Sequence, residues 1–451
     1  MQDIVSAEQI EIIEVSIRSE RFQDDKRLYV SGKENEASVG VELEIYENIY
    51  MPYLTGRILI QDDNDIYRVA EIKGTERVTV RFKSPGTDLE LEKVFIISTV
   101  ERSIKVNDQM SQLLLELTED HGYFNELQLV NRSYNGTGPE IIEKILQDNT
   151  NKTIKQNYYK TPAQSSFRYI VPWQTAYTAI NTVLNFITTD NSLPYFFYSS
   201  LTSDELILTD MESILERDPF NEQQRPFSYS QGQLSKKRTL EEEVFNITNI
   251  EAGQLNDTLS LAKMGGIGAS YVTIDTLTGQ SSPDTRIDMK QQYQKLDDAS
   301  VISLKSDRSS IDDKFRVDEK QDTEITQFNS KKYSVLAHSP YTDINGIAPD
   351  NQTTRQVAIK NNFLKHLADN SFTITVPGLS FAVRNTNRSV GHQIKINVLK
   401  EGDINSVSQQ VDERRSGNFI MIAKKHVFDL ISDTHNVVVK VGRITEPRRI
   451  D

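Results

Sequence analysis

The chain has no cysteine among its 451 residues. Disulfides, thiolate nucleophiles and cysteine-ligated zinc are therefore excluded, and folding in a reducing cytoplasm is expected. Positive charge is in short supply: 51 Lys and Arg stand against 65 Asp and Glu, a net charge of −14. That balance argues against a protein whose task is to neutralise phosphates, and it favours solubility. Long apolar runs are missing too. None approaches the roughly 18 residues that span a bilayer, so no stable membrane insertion is expected. The opening "MQDIVSAEQIEIIEV" carries acids where a secretory signal would carry lysines, so no export address is expected either.

What is present reads as a multi-domain globular chain. The length corresponds to about three domains of roughly 150 residues. Hydrophobic residues make up 37% and are spread evenly, which points to several modest cores. Charged residues make up 26% with both signs interspersed, so wholesale disorder is not indicated.

From residue 10 to about 118 the hydrophobic period is two. "QIEIIEVSI", "ASVGVELEIYENIY", "GRILIQD", "RVTVRFKS", "KVFIISTVERSI" and "QLLLELTE" predict short strands at barrel or sandwich spacing. "SPGTDLE" predicts a hairpin, because Gly86 takes positive φ without steric cost. The period then changes. "GTGPEIIEKILQDN" predicts a helix opened by Pro139, with Ile141, Ile142, Ile145 and Leu146 on one face. "VPWQTAYTAINTVLNFITT" predicts another, opened by Pro172, with the stripe Ala176, Tyr177, Ile180, Leu184 and Ile187. "PYFFYSSLTSDELILTD" predicts a hairpin of one aromatic and one aliphatic strand, followed by a short helix at "MESILER". The stretch 280–332 is polar and predicts an extended or weakly packed insertion. "RQVAIKNNFLKHLAD" predicts an amphipathic helix through Ile359, Phe363, Leu364 and Leu367. Strong period two returns in "FTITVPG", "HQIKINVL", "GNFIMIAKKHVF" and "HNVVVKVGRI".

No constellation points to chemistry. In "DDND", Asp62 and Asn64 alternate, but Ile66 follows and no glycine closes a calcium loop, so this is a solvated turn between strands. The histidines are His121, His338, His366, His392, His426 and His435. None lies three or four residues from another, so a helical metal pair is absent and surface or capping roles are expected. Glu119 and Asp120 adjoin His121, but sequence neighbours do not face one another on a strand or a helix. "KMGGIGAS" (263–270) lacks the glycine spacing of either phosphate fingerprint. "SKKRTLEEEVF" sets Lys236, Lys237 and Arg238 against Glu241, Glu242 and Glu243 as a self-compensating surface. No G-x-S-x-G elbow exists, and among 65 acids nothing singles out a pair for glycoside hydrolysis.

The order of elements does point somewhere. "MPYLTGRILIQDDNDIYRVAEIKGTERVTVRF" is followed by "VPWQTAYTAINTVLNFI", "PYFFYSS" and "DELILTDMESI". "DNSFTITVPGLSFAVRNTNRSVGHQIKINV", "SGNFIMIAKKHVFD" and "HNVVVKVGRI" then close the chain. This succession resembles the baseplate hub proteins of contractile-tailed phages, the T-even-like myovirus hub family. It is more distantly similar to the base of type VI secretion spikes. The resemblance implies a mainly β fold with α+β insertions: two small tube-protein-like β-barrels in one chain plus an α/β module. Residues 1–118 would form the first barrel, with strands near 236–250 as candidates to complete it. Residues 119–235 would be the α/β insertion, 236–276 with 372–451 the second barrel, and 277–371 a polar insertion and helix.

The resemblance further implies a homotrimeric ring that adapts a six-fold tail tube to a three-fold central spike. Its partners would be itself, the spike, the tail tube or tube-initiator protein and the baseplate wedge proteins. Phage DNA would pass only in transit, and the protein would reside in the virion baseplate after assembly in the host cytoplasm. No catalytic, metal or cofactor residue is expected, nor any cofactor or enzymatic activity. The alternative reading is a tail-tip enzyme that degrades cell wall, a glycoside hydrolase.

Overall fold

The structure is a computed structural model. It describes residues 6–19, 27–32, 39–62, 71–85, 90–101, 104–105, 111–155, 158–229, 239–251, 259, 263, 268–274, 279–281, 285–302, 314–318, 321–324, 331–336, 341–343, 351–382, 385–399, 411–412 and 415–444.

The predicted alternation in the first block produces β1 (Glu11–Arg18), β2 (Arg27–Gly32), β3 (Gly40–Asn48), β4 (Thr55–Asp62), β5 (Arg77–Lys83), β6 (Glu90–Val100), β7 (Ile104–Lys105) and β8 (Ser111–Glu119). Spatial order is β3-β4-β8-β6-β5-β1-β2, with antiparallel neighbours throughout. Val39 N–H donates to the Val30 carbonyl at 3.1 Å, which brings β2 back beside the start of β3. Alternate side chains of every long strand then meet inside, among them Val15, Ile17, Ile45, Ile58, Val80, Phe82, Phe95 and Leu115. β5 and β6 form the expected hairpin, Lys83 opposite Glu90; its turn at 86–89 lies outside the described residues, as does the "DDND" loop beyond Asp62.

The module that follows contains α1 (Asp120–Glu126), β9 (Ser133–Gly136), α2 (Gly138–Asn149), β10 (Phe167–Ile170), α3 (Ala176–Phe186), β11 (Tyr195–Tyr198), β12 (Ile207–Asp210) and α4 (Met211–Leu215). α2 starts where Pro139 predicted, and Thr137 and Glu140 close a reciprocal capping box over its first turn. α3 starts later than expected. Its N-cap is Thr175, whose hydroxyl accepts from Thr178 N–H, because Gln174 is still paired with Val130 and Trp173 sits at a φ of 50°. The stripes of α2 and α3 face one core with Tyr169, Phe197 and Leu208. β11 and β12 form the predicted aromatic–aliphatic hairpin.

The remainder of the chain adds β13 (Phe227–Tyr229), α5 (Leu240–Val244), β14 (Asn249–Glu251), β15 (Gly268–Ile274), β16 (Thr285–Asp288), α6 (Met289–Asp298), β17 (Lys314–Asp318), β18 (Gln321–Glu324), β19 (Lys331–Leu336), β20 (Tyr341–Asp343), α7 (Asn351–Asp369), β21 (Ser371–Pro377), β22 (Gln393–Val398), β23 (Gly417–Asp429) and β24 (Thr434–Gly442). The second block runs β14-β21-β24-β23-β22-β13. Ser228 N–H donates to the Phe245 carbonyl and Ile247 N–H to the Ser228 carbonyl, so β13 returns beside the segment leading into β14. Its interior holds Phe227, Phe245, Ile374, Ile396, Phe419, Met421 and Val439.

The structure decides one alternative of the sequence reading and differs from it at two places. β14 hydrogen-bonds to β21 and so belongs to the second block; it does not complete the first. β15, expected in the second barrel, pairs with β16 and β19 in a separate three-stranded sheet. The polar stretch 280–332 contains α6, whose Met289, Tyr293 and Leu296 pack with Phe363 and Leu367 of α7. Three buried apolar side chains on one face suffice to dock a helix whose other positions are polar, and an average over the stretch conceals them.

β23 is common to both blocks. Gly417–Ile420 pairs with β22, whereas Ala423–Asp429 pairs with β3, and β24 lies along the other edge of both halves. A bulge between Met421 and Ala423 shifts the parity of the strand. Phe419 and Met421 before it therefore share a face with Lys424, His426 and Phe428 after it. That face runs from the core of the second block into the core of the first.

Candidate functional site

Between the two cores, the shared face of β23 carries charge. Lys424 Nζ lies 2.9 Å from Glu47 Oε2 on β3, with both side chains inaccessible to solvent. Glu47 Oε1 accepts from Leu201 N–H at 2.8 Å and lies 3.7 Å from His426 Nε2, while Lys424 Nζ also donates to the Arg388 carbonyl at 2.9 Å. Burial alone would raise the Glu47 carboxyl, but Lys424 and His426 outweigh it and hold it far below the carboxylate range. His426 Nδ1 and His435 Nε2 are 3.0 Å apart, so one ring donates and the other accepts. His435 also stacks on Phe428, ring centroids 4.3 Å apart. Burial pushes both imidazoles well towards the neutral form.

A second carboxylate sits where the first block meets the module. Glu119, the last residue of β8, accepts from Leu54 N–H at 2.9 Å and from Ser199 Oγ at 2.8 Å. His121 Nε2 is 3.1 Å away, and Lys93 and Lys152 approach the other oxygen at 3.8 and 3.7 Å. Burial opposes ionisation, yet His121 and Lys93 bring this carboxyl down to about 2. Sequence reasoning separated Glu119 from His121. The chain turns from strand to helix between them, so residues two apart fold onto each other, and Tyr177 on α3 closes the site at 2.5 Å from His121 Nδ1.

The two carboxylates act on the same piece of chain. Ser199 binds Glu119, Leu201 binds Glu47, and the Ser203 carbonyl accepts from Lys93 Nζ at 2.6 Å. The turn of the β11–β12 hairpin is thus clamped by three charged side chains of the first block. Lys360 of α7 makes a comparable joint: its ammonium donates to the Leu184 carbonyl at 3.1 Å and to the Asn185 carbonyl, at the end of α3. Burial pushes that ammonium down to about 7.

The expectation of surface histidines is overturned. His121, His366, His392, His426 and His435 are all buried, and His338 lies outside the described residues. Period two on β23 was the signal that could have shown this, since it places Lys424, His426 and Phe428 on one inward face. Among the described residues, no group of three or more His, Asp or Glu is arranged to hold a metal ion. None of their helices is long and apolar enough to cross a membrane. The lysine–arginine run at 236–238 and residues 264–267 of the glycine-rich stretch lie outside the described residues. Chemically, then, the charged sites are joints: Glu47, Glu119, Lys93, Lys360 and Lys424 are buried, and each is hydrogen-bonded to backbone of a neighbouring segment.

No protein-family model and no curated protein matches the chain. Solved structures do. The tail protein from Neisseria meningitidis MC58 superposes with a TM-score of 0.51 at 11% identity, over 95% of this chain and 96% of that one. The 43 kDa tail protein of prophage MuSo2 from Shewanella oneidensis gives 0.50 at 9% identity, over 96% and 98%. The chain has the fold of these tail proteins. The likeness runs over nearly the whole length of each chain.

Proposed function

We propose that the protein is a structural hub of a contractile phage tail. Three copies would form a ring that joins a six-fold tube to a three-fold spike and lines the passage for DNA. The observation that carries this reading is β23, one strand built into two β-blocks, each with its own core. Two such blocks in each of three copies present six similar units to a tube while the ring itself stays three-fold. The shared strand fixes the spacing of the two units, as a symmetry adaptor requires. End-to-end likeness in fold to two tail proteins, one of them from a prophage, supports the same reading.

On this proposal the protein has no enzymatic activity. A glycosidase needs two carboxylates facing a cleft, one of them with a raised pKa. Glu47 and Glu119 are instead buried, and both are pushed down. Purified protein should leave a peptidoglycan suspension turbid; sustained clearing would favour the tail-tip hydrolase. Native mass spectrometry tests the hub directly: three copies per particle are expected, and a strictly monomeric or dimeric species at every concentration contradicts it.

A further inference from the structure

The module carries an apolar ridge on its outside. Ser133 pairs with Ile170 and Val130 with Gln174, so one strand spends an extra residue between the two pairs. That bulge holds Trp173 at a φ of 50°, a conformation that bulky side chains rarely adopt. Val130 and Val171 point into the module core. Leu129, Ile170 and Trp173 point out and are 60%, 54% and 67% exposed, and Leu127 at 66% and Phe124 at 43% extend the row from α1. Together these side chains present on the order of 600 Å² of apolar surface, the upper end of what a lone monomer shows.

We infer that this ridge is a contact between copies of this chain, packed about the symmetry axis of the ring. The inference rests on the hub reading above and names its subunit surface. Charge argues for a second copy as the occupant. Identical chains of net charge −14 repel over most of their surfaces, and the ridge is an apolar strip along which they can approach. Its two ends carry opposite charge. Glu126 adjoins Leu127, and Arg168 lies two residues before Ile170 on the same face of β10. Among the described residues Glu126 bonds only Asn125 and Arg168 only Asn135, both through amide groups. Head-to-tail packing brings the Glu126 end of one ridge to the Arg168 end of the next. A standard interface takes about 800 Å² from each partner, so the ridge supplies most of one contact.

Trp173 is the chain's single tryptophan, so its fluorescence reports this site alone. The experiment is a concentration series of the full-length protein, reading emission maximum and acrylamide quenching beside mass by analytical ultracentrifugation. The expected result is a blue shift and loss of quenching that track association. Trp173→Ala should weaken association at least tenfold without changing the circular dichroism melt. E126R and R168E should each weaken it, and the double variant should restore it. A trimer whose Trp173 stays fully quenchable overturns the ridge and leaves the hub reading standing. Absence of any association, with Trp173 exposed throughout, overturns both.

Discussion

Glu47 and Lys424 have left water entirely, and each ion loses several kcal/mol of hydration by doing so. Their mutual attraction and the bonds to Leu201 and Arg388 offset that loss only while both are present. Glu47→Gln should therefore destabilise the fold by about 3–5 kcal/mol in urea unfolding, since it strands a buried ammonium. Replacing both residues by apolar side chains of similar size should cost much less; equal losses would mean that the pair is not the source. The buried imidazoles predict acid lability. His392 is pushed by burial down to about 3, and His426 and His435 are lowered from 6.5 for the same reason. The unfolded chain takes up these protons near pH 6.5 and the folded chain does not. Stability is thus complete above pH 6.5 and falls below it, by about 2 kcal/mol for His392 alone at pH 5. Glu47 and Glu119 add loss in the same direction below pH 4.5. A melting temperature that is flat between pH 7.5 and pH 5 would contradict this account.

At the level of elements, β23 does the coupling. Phe419 lies in one core and Phe428 in the other, on a face kept continuous by the bulge at Met421–Ala423. Truncating either to Ala should cost about 3–5 kcal/mol. Because the strand belongs to both blocks, each variant should melt in a single transition, and hydrogen exchange should quicken uniformly across 418–428. Two resolved transitions, one per block, would show that the strand does not couple them. Much of this architecture was legible in the sequence. Period two located β1, β3, β4, β5, β6 and β8, and Pro139 located α2, because alternation and a helix-opening proline act locally. Sheet membership was not legible. Nothing in "GASYVTI" says that β15 pairs with β16 and β19 rather than with the second block. The start of α3 was missed for a tertiary reason, the pairing of Gln174 with Val130. The charged joints were invisible because Glu47, Leu201 and Lys424 meet only after three distant segments fold together.

Over the whole molecule, two β-blocks with separate cores are locked at a fixed spacing by a shared strand, buried ion pairs and a clamped hairpin. That rigidity is what a ring converting three-fold to six-fold symmetry needs, since flexible spacing would blur the surface offered to the tube. On the hub proposal, the acid excess suits a passage that DNA would traverse without adhering. Little affinity for duplex DNA is expected at 150 mM salt, and tight, steeply salt-dependent binding in a filter assay would oppose it. The most direct measurement is an electron-microscopy reconstruction of the purified assembly, computed without imposed symmetry. The account predicts three copies around one axis with six β-barrel densities in a single ring. Copies that place one barrel in the ring and the other outside it would contradict it.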